Sequence, residues 1–590
     1  MLKSFKHQIL AILLGCTAVF GQVTNGNLTG VILDPSGAAV SKATVQVESL
    51  ATGLKAVATT DDIGKYKLNS LPVGSYRLTA SATGFQTVSL ASVDVDLSKT
   101  TTAHVTLTLG QQNESITVTD TPSLIDTTTA QISNLFTTRM SSDLAVASNP
   151  TGGYLNLSLL GAGVSSSGGV GGGVGPSIGG QRPRNNNYLV EGSDNNRKDI
   201  TGPLVALPND AVQEFTLLQN QFSAEFGHSS GGQFNTVIRT GTNQVHGRFY
   251  EYFQNRYLNA QDEAFKRQGI SERTRYDQNL LGGAIGGPLK RDKAFYFGNF
   301  DYNPVGRNST TSAPRYAPTA DGYATLSAMP QLSQTNLNVL KQYLGTAPLQ
   351  DSTYTIPVQG SNIPAGIVPI LAPSYSNAYR GLASLDYNIS QKDQLRGRYI
   401  QNRTSAIDTG AQTPQFFTQR PTTAYLASIS EIHTFGPTLM NEVRASYNRF
   451  NDRRSVPGIT FPGLDAFPTI GIQTDLNLLL GPFTDAPQAT TQNTYQLADN
   501  VTWNLNRHDI KFGFDGRSAI SSMDFISRVR GDYRYSTLNR YLMDMSPDVL
   551  AQRNVGGLPY LGNAPAYYLY GNDNWKVTRK LTVNIGARWE

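Results

Sequence analysis

The sequence predicts an all-β-dominated chain: a small β-sandwich, an α+β middle region, and a transmembrane antiparallel β-barrel in its second half. Three observations predict it. Near the N-terminus, turn signals recur at a spacing of roughly 8–12 residues, the pattern of short-stranded sandwiches. From His246 onward, apolar and polar residues alternate strictly, which places two chemically different sets on opposite faces of a sheet. In that half, short polar links alternate with long ones. Composition agrees: 56 Gly, 28 Tyr and 24 Phe suit strands and turns, and long Leu/Ala/Glu/Lys stretches of helical period are missing. At 590 residues several domains are expected. The net charge of +5 is spread along the chain rather than gathered in a block, so nucleic acid is not implied.

Residues 1–21 read as an export signal. Lys3 and Lys6 form a basic start, Ile9 to Leu14 an apolar run, and small residues lead to a cut near Gly21. A rival cut lies before Cys16, because Leu13-Leu14-Gly15-Cys16 resembles a lipoprotein box, although Leu14 stands where a small residue is usual. Cys16 is the only cysteine. A mature chain without it has no thiol or disulfide, which excludes cysteine catalysis and thiolate metal sites. No later segment holds about 18 consecutive apolar residues, so a membrane helix is not expected. An exported chain of this kind is soluble or crosses a membrane as a β-barrel.

Residues 24–109 carry the sandwich pattern. Leu28 to Leu33 precedes the turn Asp34-Pro35-Ser36-Gly37, and Val45/Val47 alternate with Thr44/Gln46. Asp61-Asp62-Ile63-Gly64 and Leu71-Pro72-Val73-Gly74 each precede a further short strand. Residues 111–245 change character. Glu114-Ser115-Ile116-Thr117-Val118-Thr119 is an extended, β-branched stretch. The glycine-rich run at 165–180 lacks the Gly-Lys-Ser/Thr ending of a phosphate loop and reads as a loop.

Residues 246–590 hold about eleven predicted strands of about ten residues each, a usual length for a tilted barrel strand. Val443, Ala445 and Tyr447 interleave with Glu442, Arg444, Ser446 and Asn448; Ile510, Phe512 and Phe514 interleave with Lys511, Gly513, Asp515 and Arg517. The links decide between a soluble sheet and a barrel. Short ones (288–293, 390–393, 435–439, 506–509, 577–580) alternate with long ones (257–277, 304–378, 403–421, 451–492, 519–564). Repeated structureless loops of such length are rare in soluble domains, whereas an up-and-down barrel has short periplasmic turns and long outer loops. An odd strand count cannot close a single-chain bacterial barrel, and Arg588-Trp589-Glu590 lacks a terminal aromatic, so further strands are expected downstream.

Two resemblances follow from particular residues. Gly74, Tyr76, Leu78, Gly84 and Phe85 resemble the carboxypeptidase regulatory-like domain, a transthyretin-like sandwich without peptidase chemistry. That family is associated with carbohydrate-binding-like folds, but the segment has no aromatic platform for a sugar. GQRPRNNNYLVEGSDNN (180–196), DAVQEF (210–215), FSAEFGHSSGGQFNTVIRTGTNQVHGRFYEYF (222–253), GGAIGGPLKRDKAFYFGNF (282–300) and DNWKVTRKLTVNIGARWE (573–590) resemble TonB-dependent outer-membrane receptors of the Oar-like group. Glu191 and Ser193 depart from that family's usual pattern, and SSDLAVASNPTGG (141–153) matches its N-L-P-L-N-G-R element poorly. The resemblance implies a plug over 111–245, with the sandwich and plug on the periplasmic side of the outer membrane. It implies import of a bulky nutrient, such as carbohydrate or peptide, driven by TonB with the ExbB–ExbD motor. Glu114, Ser115, Ile116, Thr117, Val118 and Thr119 then resemble the TonB box, an extended segment able to pair with a partner sheet. The alternative for these six residues is a linker or first plug strand.

Rival functions weigh less. Gly227-His228-Ser229-Ser230-Gly231 fits G-x-S-x-G, but a nucleophile elbow needs a buried parallel strand before the serine and a helix after it. The polar Gln219, Asn220 and Gln221 precede Ser229 and an alternating stretch follows it, so no enzymatic activity is expected. His104, His246, His433 and His508 are scattered without metal spacing, and calcium-loop spacing is absent. A surface adhesion or secretion role is the second reading, since long loops and an N-terminal sandwich also suit large partners.

Overall fold

The computed structural model describes residues 25–590 apart from 98, 111–114, 119–130, 145–152, 167–174, 201, 262–271, 310–313, 349–353, 369, 371, 558 and 579–580. The expected export signal, Glu114, Thr119 and the centre of the glycine run lie outside the described residues.

The N-terminal region is a sandwich of two sheets. One runs in the order Lys55–Thr59, Thr44–Ser49, Gly74–Ser81, Thr87–Val95, Ser115–Val118. The other is built on Gly26–Leu33, flanked by Lys65–Leu71 on one side and by Thr100–Thr102 and Val105–Thr106 on the other. Alternate residues of Thr44–Ser49, Lys65–Leu71 and Gly74–Ser81 point inward, and Leu28, Val45, Val47, Tyr76, Leu78 and Val93 belong to the core. Burying two tyrosines requires partners for their hydroxyls. Tyr66 donates to the Ala103 carbonyl at 2.6 Å and Tyr76 to the Pro72 carbonyl at 2.7 Å.

A second, inner domain holds a five-stranded sheet: Ile132–Thr137, Val212–Asn220, Gln233–Ile238, Asn187–Val190, Ser193–Asp194. Every residue of Gln233–Ile238 is buried, so its alternation does not separate core from solvent. Both of its faces are covered.

The largest element is an 11-stranded antiparallel meander. Its strands are His246–Asn255, Tyr276–Lys290, Ala294–Ser309, Ala372–Asn388, Asp393–Asp408, Thr418–Gly436, Leu439–Arg454, Gln488–Leu505, His508–Phe525, Tyr560–Lys576 and Thr582–Trp589. Sequence neighbours pair throughout, and among the described residues no ladder joins the first strand to the last. Most strands run 15–19 residues rather than the expected ten or so. The alternation marks only the stretch where the two faces meet different surroundings; beyond it, as in Thr418–Thr422, pairing continues without a pattern to reveal it.

The polarity of this sheet is inverted relative to a soluble one. Gln492, Thr494, Gln496, Ala498 and Asn500 are buried, Gln492 and Gln496 in hydrogen bonds to the inner domain, while Tyr495, Leu497 and Trp503 are exposed. Tyr387, Phe435, Trp503 and Trp575 lie on that outer face within a few residues of the short turns. This is the arrangement of a wall facing lipid, with aromatics at one interface.

The long links are not structureless, which corrects the expectation. The links 304–378, 403–421, 451–492 and 519–564 fold together over one end of the sheet around a common core that includes Leu326, Leu340, Ile356, Ile472 and Leu538. Helices Ala320–Ser327 and Gln334–Leu344 are capped by the Thr319 and Ser333 hydroxyls, with a three-stranded and a four-stranded sheet beside them. The segment 304–378 supplies about half of this core and the other links complete it.

Candidate functional site: the seat of the inner domain

The inner domain meets the polar face of the large sheet through a hairpin. Leu189 pairs with Asp194 and Val190 with Ser193, leaving Glu191 and Gly192 as the two turn residues. Both have positive φ, 45° and 71°, as tight two-residue hairpin turns require. Gly192 has a second reason to be glycine, because a Cβ there would come within 2.0 Å of the Arg444 guanidinium. Glutamate is an uncommon choice in left-handed backbone. Its carboxylate accepts from Arg398 Nε at 2.8 Å and from the Ile238 N–H at 3.2 Å, so tertiary contacts hold a conformation that local preference disfavours.

Below the turn, charges and amides interlock. Arg517 donates to Asp194 at 2.8 Å and to Asp515 at 2.6 Å. Arg398 also pairs with Asp386 at 2.9 Å, and Arg444 pairs with Glu442. Burial pushes the Asp194 carboxyl up, but Lys198 and Arg517 outweigh it and hold the group below its usual range. Gln496 accepts from the Asp194 N–H at 2.8 Å, Asn448 donates to the Asp194 carbonyl at 2.7 Å, and Asn402 exchanges two hydrogen bonds with the Ala206 backbone. Arg197 stacks over Phe450 at 4.0 Å. Apolar contact is confined to a few sheet residues, including Phe297, Ile400 and Leu426, against the inner core of Phe215, Leu217 and Phe234. A seat made mainly of ion pairs and amides can exchange its partners for water at lower cost than an apolar one.

The sandwich sits against the short-turn side of the sheet. Lys67 pairs with Asp509 at 2.8 Å, and burial lowers the lysine pKa despite that partner. Glu214 of the inner domain accepts from the Leu97 N–H of the sandwich. Burial, and next the nearby Asp96, push that carboxyl up to about 8. Between sandwich and sheet lies a cavity of about 870 Å³, lined by Lys65, Lys67, Lys511, Lys576, Asp509 and Asn584 among others.

Ser229 is a turn residue. Its hydroxyl donates to the Asn185 carbonyl at 2.5 Å and accepts from the Gly231 N–H at 3.1 Å. The neighbouring ring, His228, turns to the Tyr568 hydroxyl at 3.5 Å, and its pKa is lowered by burial and then by Lys198 and Arg517. A short strand rather than a helix follows. The scattered histidines are drawn to neighbours that spacing did not reveal: Asp393, Glu431 and His433 bring ligand-type atoms within 4.8 Å of one another on the outer face. His508 pairs with Asp573 at 2.6 Å and stacks on Trp575. Of the six residues proposed to couple to a partner, Ser115–Val118 is a strand paired in parallel with Thr87–Leu90.

In the sequence Glu191 stands out only as a departure, Arg444 and Arg517 only as polar members of alternating strands, and Arg398, Gln492 and Gln496 not at all. The three arginines and two glutamines lie on polar, inward-facing positions of alternating strands, where a polar residue is expected whatever it does.

Comparison with known proteins gives two family matches: an outer membrane beta barrel domain over 237–590 and a carboxypeptidase regulatory-like domain over 27–108. The TonB-dependent transporter Oar of Myxococcus xanthus is 25% identical over 302 residues, which is 50% of this chain and 28% of that protein. Solved structures with a similar fold include the outer-membrane transporter YddB of Escherichia coli, with TM-score 0.49, 12% identity, and 77% of this chain and 56% of that one covered. The siderophore receptor PirA of Pseudomonas aeruginosa gives TM-score 0.44 and 11% identity over 77% and 55% of the two chains. The chain thus spans little more than half the length of these solved relatives and less of the curated one.

Proposed function

The chain belongs to the outer membrane β-barrel domain family and is an outer-membrane protein, and from that premise we propose that it is a TonB-dependent transporter. In this reading the inner domain is a plug, the folded outer links form the ligand mouth, and the sandwich lies in the periplasm. The cargo class is a bulky polar nutrient such as carbohydrate or peptide. The observation that carries the proposal is the seat: a domain with its own five-stranded sheet held against the polar face of a lipid-facing sheet by Glu191–Arg398 and Asp194–Arg517. Such a stopper closes the barrel at rest yet can be displaced into a hydrated lumen without exposing a large apolar surface.

Displacement needs work, and 114–119 is the segment through which TonB, energised by ExbB and ExbD, would deliver it. Ser115–Val118 is extended, and an extended strand binds a partner sheet through its backbone. Deleting 114–119 should abolish energised uptake while cells still bind the ligand at their surface. Uptake at the normal rate in the deletion strain would end this reading. The similarity to a transporter named as TonB-dependent supports it.

A further inference from the structure

Ser115–Val118 is the terminal strand of the five-stranded sandwich sheet, next to Thr87–Val95. Four register pairs join them: Thr87 with Ser115, Val88 with Ile116, Ser89 with Thr117, and Leu90 with Val118. The apolar residues of the segment fall opposite the buried Val88 and Leu90, and its polar ones opposite the half-buried Thr87 and Ser89. The chain just before the segment is tied to the same strand end. Gln86 N–H donates to the Thr108 carbonyl at 2.9 Å, and Phe85 bridges Leu109. The approach is therefore anchored, and the local concentration of the segment at this edge is high.

We propose that the sandwich is a presentation platform: it holds 115–118 as a ready-made edge strand on which an edge strand of TonB's periplasmic domain pairs, continuing one sheet across both proteins. The proposal rests on the reading of 114–119 as the coupling segment and adds the sandwich to the contact. A strand has two hydrogen-bonding edges. One edge of Ser115–Val118 is spent on Thr87–Leu90; among the described residues nothing pairs with the other, which carries alternate N–H and C=O groups. A free four-residue segment would lose conformational entropy on pairing, and the sandwich removes much of that cost beforehand. The adjoining edge of the sandwich would also touch the partner.

The chain's single cysteine makes a direct test clean. In the full chain with Cys16→Ser, the pair Ser89→Cys and Thr117→Cys should form a disulfide in the ligand-free protein, since register neighbours lie within bridging distance. The pair Thr87→Cys and Ser115→Cys serves as a second variant. A soluble periplasmic domain of TonB is then titrated against the same variant, oxidised and reduced. Platform presentation predicts an oxidised affinity equal to the reduced one or several-fold tighter. A weaker affinity on oxidation would mean that the sandwich hides the segment and would overturn the proposal, as would failure of both pairs to cross-link. Deletion of 114–119 separates the two readings: if the deleted chain still binds the TonB domain, the coupling assignment itself falls. If deletion abolishes binding and oxidation also weakens it, only the platform does.

Discussion

Arg517 and Asp194 lie 2.8 Å apart across the seam between sheet and inner domain, with side chains 3% and 0% exposed. They are separated by more than three hundred positions in sequence, and each has a second partner, Asp515 for the arginine and Lys198 for the aspartate. Two carboxylates thus share one guanidinium in a site from which water is excluded. Such a site is a poor source of net stability, yet removing the guanidinium leaves two buried carboxylates with Lys198 at 3.7 Å and the Gln496 amide to answer them.

Arg517→Ala should therefore cost about 3–5 kcal/mol in unfolding free energy, the usual penalty for stranding a buried charge. Urea denaturation of the purified protein measures it. Adding Asp194→Asn and Asp515→Asn to Arg517→Ala should recover a large part of the loss, since neutral amides no longer need the guanidinium. No recovery in the triple variant would show that the arginine acts by packing over Tyr568 instead.

Leu497 and Gln496 are adjacent residues with opposite surroundings: Leu497 is 43% exposed on the outer face and Gln496 is buried at the seat. Leu497→Arg places a charge near mid-strand in lipid and should destabilise by about 2–4 kcal/mol when folding is measured in bilayers. In a polar detergent-free soluble protein the same change would be close to neutral, so a negligible cost would contradict the lipid-facing assignment of this face.

The sheet was the most legible part of the chain. Alternation at 442–449 and 510–517 separates two faces, and the structure buries Glu442, Arg444 and Asn448 while exposing Val443. What alternation cannot supply is the partner. Nothing near Arg398 in sequence points to Glu191, because their contact depends on a hairpin turn in another domain. The outer cap was missed for a different reason. Ser333 followed by Leu337, Leu340 and Leu344 and then Gly345 carries a capped amphipathic helix signal, but it lies inside a link read as loop because the flanking strands dominated the pattern. The seat glycine, Gly192, is legible only once Arg444 is placed beside it.

Ser229→Ala tests the turn role of the G-x-S-x-G segment. It removes a hydroxyl that bridges Asn185 and Gly231 and should cost about 1 kcal/mol, the net value of a typical hydrogen bond, with ligand uptake retained. Wild-type protein should take up no fluorophosphonate at Ser229, because the His228 ring is directed to Tyr568 rather than to the serine. Covalent labelling of Ser229 detected by mass spectrometry would reverse this conclusion.

Glu214 makes the junction between sandwich and inner domain depend on pH. Its carboxyl is raised from an ordinary 4.5 to about 8, first by burial and next by the neighbouring Asp96, against the opposing Leu97 N–H. A folded-state value above the unfolded one means that the folded protein holds the proton more tightly. The stabilisation is fully present below about pH 4.5 and is lost progressively as pH rises through about 8. The whole shift sets an upper bound on the order of 5 kcal/mol at about 1.4 kcal/mol per unit. Wild-type protein should therefore melt at a lower temperature at pH 9 than at pH 6, and the Leu97 amide should exchange faster at the higher pH after correction for intrinsic rates. Glu214→Gln keeps an acceptor for Leu97 without the titrating charge, so its melting temperature should change much less over the same interval. Equal pH dependence in the two proteins would place the sensitive group elsewhere; His228 is not that group, because a pKa lowered by burial costs stability only as pH falls.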